Sequence, residues 1–139
     1  HPFETYLLVN RVEGLKTGLY RFIASKHALL AVEINNEVTE KVTHACIDQV
    51  QVRNSAVTFI WDAVVARSFW RYDQRAYRYM HLDAGHVCQN LYLAAEAIGC
   101  GVCGIAAFND DLLNAAVGAE GNREFVIYAA ALGKVGKEE

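Results

Sequence analysis

Hydrophobic and polar positions along the chain change period several times, and each change predicts an element. "ETYLLVN" (Glu4–Asn10) is apolar, aromatic and β-branched, as a strand requires. "EGLKTG" (Glu13–Gly18) reads as a turn, and "LYRFIA" (Leu19–Ala24) alternates as a second strand. "HALLAVEI" (His27–Ile34) is a third, reached through a tight hairpin at Ser25 and Lys26. Apolar residues at 38, 42, 46 and 50 follow helical spacing, with Thr39 as the expected cap. "AVTFIWDAVV" is a continuous run of β-formers, expected as a central strand buried on both faces.

"FWRYDQRAYRYM" is aromatic and basic and begins a helix or the approach to one; the longest helical segment is Tyr77 to Ile98. That segment is apolar almost all round, which predicts a buried helix, and Gly99 is placed to end it in a left-handed cap. "GVCGIAA" reads as a short strand or extended loop. "NDDLLNAAVG" restarts a helix, with Asn109 as N-cap and two aspartates in the first turn. "EFVIYAAALG" closes the chain as an apolar strand. The predicted order is β-β-β-α-β-α-β-α-β, a single α+β domain spanning residues 1–139. Its opening, "HPFETYLLVN", looks like the middle of a domain, so residues are expected to precede His1.

Composition narrows the function. With 139 residues and 53% hydrophobic content, the chain is long and apolar enough for one sizeable core. A formal net charge of −3 argues against a nucleic-acid partner, because phosphate binding needs a basic surface. No apolar run approaches a membrane span, and no signal peptide is visible. The four cysteines lack the spacing of a secreted disulfide framework, so a reducing cytoplasm is expected.

The chemistry-bearing candidates are few. Cys100-Gly-Val-Cys103 matches C-x-x-C, but it follows a helix C-terminus, where the dipole raises a thiol pKa. A zinc site would need two more ligands at sensible spacing, and Cys46 and Cys88 stand alone. The simplest reading is that these cysteines are small buried hydrophobes, with no metal site. His81 and His86 lie five apart and do not face one ligand on a helix; His86, Gln89 and Asn90 either satisfy nearby backbone or subunit groups or touch a ligand. Glycines at 99, 101 and 104 space as G-x-G-x-x-G, yet the dinucleotide fingerprint should open a helix, not follow one. These glycines instead permit a sharp bend and a close backbone approach. The strip after them, Gly104 to Phe108, can act only through main-chain groups. A flat heterocycle with a polar edge suits it.

"YRYMHLDAGHVCQNLYLAAEAIGCGVCGIAAFNDDLLNAAVG" resembles the C-terminal half of a nitroreductase-like flavoprotein, more narrowly the SagB/ThcOx-type dehydrogenase branch. "HPFETYLLVNRVEGLKTGLYRF" resembles its early strands, so the likeness runs over nearly the whole chain. The resemblance implies a nitroreductase fold, with a mostly antiparallel central sheet flanked by helices, and a two-fold homodimer holding FMN at its interface. It implies an FMN-dependent oxidoreductase that passes hydride between the flavin and a small heterocyclic, nitro or quinone-like substrate, with NAD(P)H as a possible donor. The competing reading is a flavin-free relative serving as scaffold or binding subunit of a modification complex.

Carried onto this sequence, the strip Gly104, Ile105, Ala106 and Ala107 passes the flavin, with amides at about Ala106 and Ala107 directed at N5 and O4. Donors there would stabilise electron density on the reduced ring. Gly133, Lys134 and Lys137 are the C-terminal phosphate candidates. The family's basic N-terminal segment is absent from this sequence, and Pro2 is the trace of the adjacent loop. The branch's catalytic Lys-Tyr pair falls at Arg71-Tyr72. Arginine cannot serve as a base, which leaves Tyr72 as a hydrogen-bond donor, or the pair as dimer surface.

Overall fold

The computed structural model describes residues 1–136; Lys137, a phosphate candidate above, lies outside them. The strands are β1 (Phe3–Val9), β2 (Gly18–Ile23), β3 (Ala28–Glu33), β4 (Val57–Val64), β5 (Cys100–Ile105) and β6 (Glu124–Lys134). The helices are α1 (Glu37–Ala45), α2 (Val50–Asn54), α3 (Ala66–Tyr72), α4 (Arg75–Ala97) and α5 (Asp110–Val117). All six strands form one sheet in the order β3-β2-β1-β4-β6-β5, with every neighbouring pair antiparallel. The α+β class expected from the sequence is the class observed.

Alternation along the strands divides the core in two. On one face Leu8, Leu19, Ile60 and Ile105 pack with Val38 and Val42 of α1 and Leu113 of α5. On the other, Phe3, Trp61 and Ala130 pack against Met80, Ala84 and Cys88 of α4. Helices therefore cover both faces, and β4 at the centre is buried on both sides, as its unbroken apolar run predicts. Each large side chain fully buried this way contributes about 1.5–3 kcal/mol.

Three expectations change and one is resolved. The helical stripe at 38, 42, 46 and 50 spans two helices, because the chain turns at Ile47 and Asp48, both in left-handed conformations. Thr39 does not cap α1. The Asn35 Oδ1 accepts from the Val38 N–H at 2.9 Å, while the Thr39 hydroxyl donates to Asn10 Oδ1. Of the two readings of the aromatic and basic segment, a helix is the one observed: its first residues close α3 and its last begin α4. The long helix α4 is not buried all round: Ala76, Met80, Ala84, Cys88 and Ala95 are buried, whereas Leu82 and Leu93, and Ile98 just past the helix end, are 56%, 62% and 70% exposed. A periodicity argument detects apolar positions without saying whether their own chain covers them.

The C-terminal signals hold. Gly99 ends α4 at φ 67°, and Asn109 caps α5, its side chain accepting from the Leu112 N–H at 3.0 Å. Together these fix where β5 begins and where the chain leaves it.

Candidate functional site

β5 is an edge strand, so alternate amides along it face away from β6 with no ladder partner. One of them, the Gly104 N–H, donates to the Tyr92 hydroxyl of α4 at 2.8 Å. Pairing with β6 stops at Ile105, opposite Ala129. Beyond it, Ala106 and Ala107 are exposed, and among the described residues neither amide donates a hydrogen bond. The chain is caught again just downstream: Gln49 Nε2 donates to the Ala107 carbonyl at 2.8 Å, and the Asn109 N–H donates to the Ala45 carbonyl at 2.7 Å. Ala106 and Phe108 border a cleft of about 450 Å³ whose other walls include His81, Asp110, Asp111 and Phe125.

Gly104 has a steric reason for being glycine. A Cβ at this position would lie 2.8 Å from the Tyr128 hydroxyl and 3.3 Å from a ring carbon. Tyr128 is itself held edge-on against Trp61, with ring centroids 6.1 Å apart.

The remaining predicted residues are not gathered around this strip. Lys134 stands opposite Cys100 and Gly133 opposite Gly101, at the far end of β5. At a strand rise of 3.3 Å per residue that is about 20 Å from Ala106. There the two residues border a separate hollow of about 300 Å³ with Gln51, Ser55 and Cys103. Pro2 is buried at the start of β1, its carbonyl accepting from the Val64 N–H at 2.8 Å. Arg71 and Tyr72 close α3 on an exposed aromatic surface. The Arg71 guanidinium lies over the Tyr72 ring at 5.4 Å, and Tyr72 meets Tyr79 edge-on at 4.9 Å.

The sequence profile of the nitroreductase family matches residues 1–134. The chain belongs to the nitroreductase family. It is 32% identical over 111 residues to a protein of Methanocaldococcus jannaschii named as a nitroreductase, which covers 80% of this chain and 56% of that one. It is 31% identical over 103 residues to the trifolitoxin-processing protein TfxB of Rhizobium leguminosarum biovar trifolii, covering 71% of this chain and 28% of TfxB. A solved structure from Anabaena variabilis, described as a nitroreductase, superposes with a TM-score of 0.85 at 34% identity over 96% of this chain and 27% of that one. The chain thus spans about half the length of one of these relatives and little more than a quarter of the other two.

In this nitroreductase-family chain the C-x-x-C pair is neither buried nor convergent. Cys103 is exposed and Cys100 half-exposed, which corrects the expectation of two buried hydrophobes. Both lie on β5, where three residues of separation turn side chains to opposite faces, so no shared metal or disulfide is available to them. Among the described residues no group of three or more His, Cys, Asp or Glu could hold a metal ion. The two cysteines that behave as core are Cys46 and Cys88, and burial pushes the Cys46 thiol up to about 11. His86, Gln89 and Asn90 point outward from α4 and are exposed. His81 is the histidine beside the strip, its Nδ1 hydrogen-bonded to the Tyr77 carbonyl at 2.6 Å. No helix among the described residues is long and apolar enough to cross a membrane.

Sequence reasoning missed Gln49 and Tyr92. Tyr92 carried a weak signal, since a polar-tipped aromatic on an apolar helix needs a hydrogen-bond partner.

Proposed function

We propose that this chain is the flavin-edge portion of an FMN-dependent oxidoreductase of the SagB/ThcOx-type branch. The observation that carries this reading is the pair of unpartnered main-chain amides at Ala106 and Ala107, at the open end of an edge strand, with Ala106 bordering a cleft. Both residues are exposed, so their amides, left out of the ladder at a sheet edge, are open to an acceptor-rich ligand edge in place of water. FMN, when bound, would supply two-electron chemistry. The protein's part is to hold Ala106 and Ala107 as fixed donors and to leave Gly104 without a side chain. The TfxB likeness supports the narrower branch, and an oxidised or reduced small heterocycle is the substrate class that fits. Lys134 and Gly133, about 20 Å along the strand pair from Ala106, lie too far to hold the phosphate of a flavin whose ring edge meets Ala106 in the same protomer, and Tyr72 would be a hydrogen-bond donor with Arg71 as its neighbouring cation. The outward apolar residues Leu82 and Leu93 of α4 and Ile98 just past its end support a homodimer, since a second copy would remove them from water.

The flavin-free scaffold remains the second reading, favoured by Arg71 where the branch carries lysine. FMN titration followed by absorbance, with sedimentation of the same samples, separates the two. The oxidoreductase reading expects a yellow dimer. Ala107→Pro deletes one donor and is expected to weaken FMN binding by about tenfold to a hundredfold, the worth of a hydrogen bond to a charged or strongly polar acceptor. Cys103→Ala should leave affinity unchanged. Undiminished binding in the proline variant removes that amide from the site, and a colourless dimer that takes up no FMN favours the scaffold.

A further inference from the structure

The turn between α1 and α2 is strained. Ile47 sits at φ 57° and Asp48 at φ 54°. Neither is glycine and Ile47 is β-branched, so each conformation costs on the order of 1–2 kcal/mol. Ile47 gains little burial in return, being 63% exposed. Main-chain bonds hold the turn closed: the Ile47 N–H donates to the His44 carbonyl at 3.0 Å, and the Asp48 N–H to the Thr43 carbonyl at 2.9 Å.

What the turn delivers is Gln49. Its Nε2 donates to the Cys46 carbonyl at 2.9 Å and to the Ala107 carbonyl at 2.8 Å. Its Oε1 accepts from Gln51 Nε2 at 3.1 Å, which fixes which way the amide group points. Gln49 therefore reaches 58 residues along the chain to hold one end of the strip. Tyr92 holds the other end by accepting the Gly104 N–H. Between these two braces the Ala106 and Ala107 amides stay free.

We propose that Gln49 and Tyr92 are positioning residues that fix the Ala106–Ala107 donor pair, and that the strained Ile47–Asp48 turn serves to present Gln49. Side chains held by packing and hydrogen bonds, acting on the main chain that meets a ligand, are what a preorganised donor site requires. The role assigned to the donor pair rests on the flavin reading above; the bracing does not.

The test uses Gln49→Ala, Gln49→Lys and Tyr92→Phe. Backbone 15N order parameters of Ala106 and Ala107 are measured in the protein without flavin, followed by FMN affinity and the midpoint potential of the bound flavin. Gln49→Ala is expected to lower both order parameters from about 0.85 toward about 0.6. FMN affinity should weaken by up to about tenfold, the worth of one hydrogen bond, with the potential shifting to more negative values. Gln49→Lys keeps a donor and should restore all three readouts. Tyr92→Phe should accelerate hydrogen exchange of the Gly104 amide and loosen the strip from the other side. Unchanged order parameters in both Gln49→Ala and Tyr92→Phe overturn the proposal, as does a fall in melting temperature with the strip still ordered. If the strip loosens while FMN affinity and potential stay as they were, the braces stand and the flavin reading of the strip fails.

Discussion

Asp62→Asn is expected to raise stability at pH 7 and to flatten its dependence on pH between about 4 and 6. Asp62 sits on β4 where the register against β6 shifts, is 1% exposed, and leaves Oδ1 without a hydrogen-bond partner among the described residues. Burial is the main reason its carboxyl is pushed up from 3.8 to about 6; the Glu124 and Glu4 carboxylates add to it, and Arg67 and Arg21 partly offset them. The folded state thus holds this proton more tightly than the unfolded chain does. The penalty is absent below the unfolded value, grows as pH rises from 3.8 toward about 6, and is complete above it. At 1.36 kcal/mol per unit it reaches about 3 kcal/mol at neutral pH. Asparagine cannot ionise and should escape it. Glu4 acts in the opposite sense. Burial raises its carboxyl, but hydrogen bonds with Arg67 and Arg21 outweigh that and hold it below the usual range, so its contribution is lost as pH falls through its folded value. Urea midpoints of wild type and Asp62→Asn from pH 4 to 7.5 read the difference directly. Parallel curves would remove Asp62 as the source of the neutral-pH loss.

Most of the sheet was legible in the chain. β1, β2, β4 and β6 follow alternation or unbroken β-former runs, and the predicted strands fall within a few residues of those observed. Period reads local geometry well because side-chain direction depends on backbone conformation alone. It fails where a stripe of helical spacing runs on past a turn: Val50 continues the spacing of Val38, Val42 and Cys46, yet they are buried and it is exposed. The break at Ile47–Asp48 left no mark because the apolar spacing continues to position 50, and two non-glycine left-handed residues have no composition signal. It fails again on α4, whose apolar residues look alike whether they face Trp61 or lie outside. The strip Gly104–Ala107 came from resemblance and from the glycine pattern, yet its braces did not. Gln49 and Tyr92 act across 58 and 12 residues, through one amide group and one hydroxyl, and long-range polar contacts leave no periodic trace. The C-x-x-C pair was readable in principle: once the segment is a strand, Cys100 and Cys103 must face opposite ways.

Gly104→Ala is expected to lower stability by about 1–3 kcal/mol and, where FMN is the ligand, to weaken its binding by a similar free energy, about fivefold to 150-fold. The added methyl would sit 2.8 Å from the Tyr128 hydroxyl, inside van der Waals contact, and 3.3 and 3.4 Å from two ring carbons. Tyr128 is diagonal to Gly104 across the β5–β6 pair, one step from its direct partner Ala130. The ring has little room to withdraw, because Trp61 meets it edge-on and it packs against the core cluster that holds Cys88 and Met80 of α4. Either Tyr128 breaks those contacts or β5 lifts away from β6. The second movement carries Ala106 and Ala107 with it and strains the Gly104–Tyr92 bond. Tyr128→Phe removes the atom in closest conflict. Combined with Gly104→Ala, it should recover most of the lost melting temperature and affinity, so the two changes are coupled rather than additive. A Gly104→Ala protein that melts and binds as wild type does would mean that the strip tolerates a side chain. Failure of Tyr128→Phe to rescue it would locate the damage in the backbone of β5, away from the tyrosine.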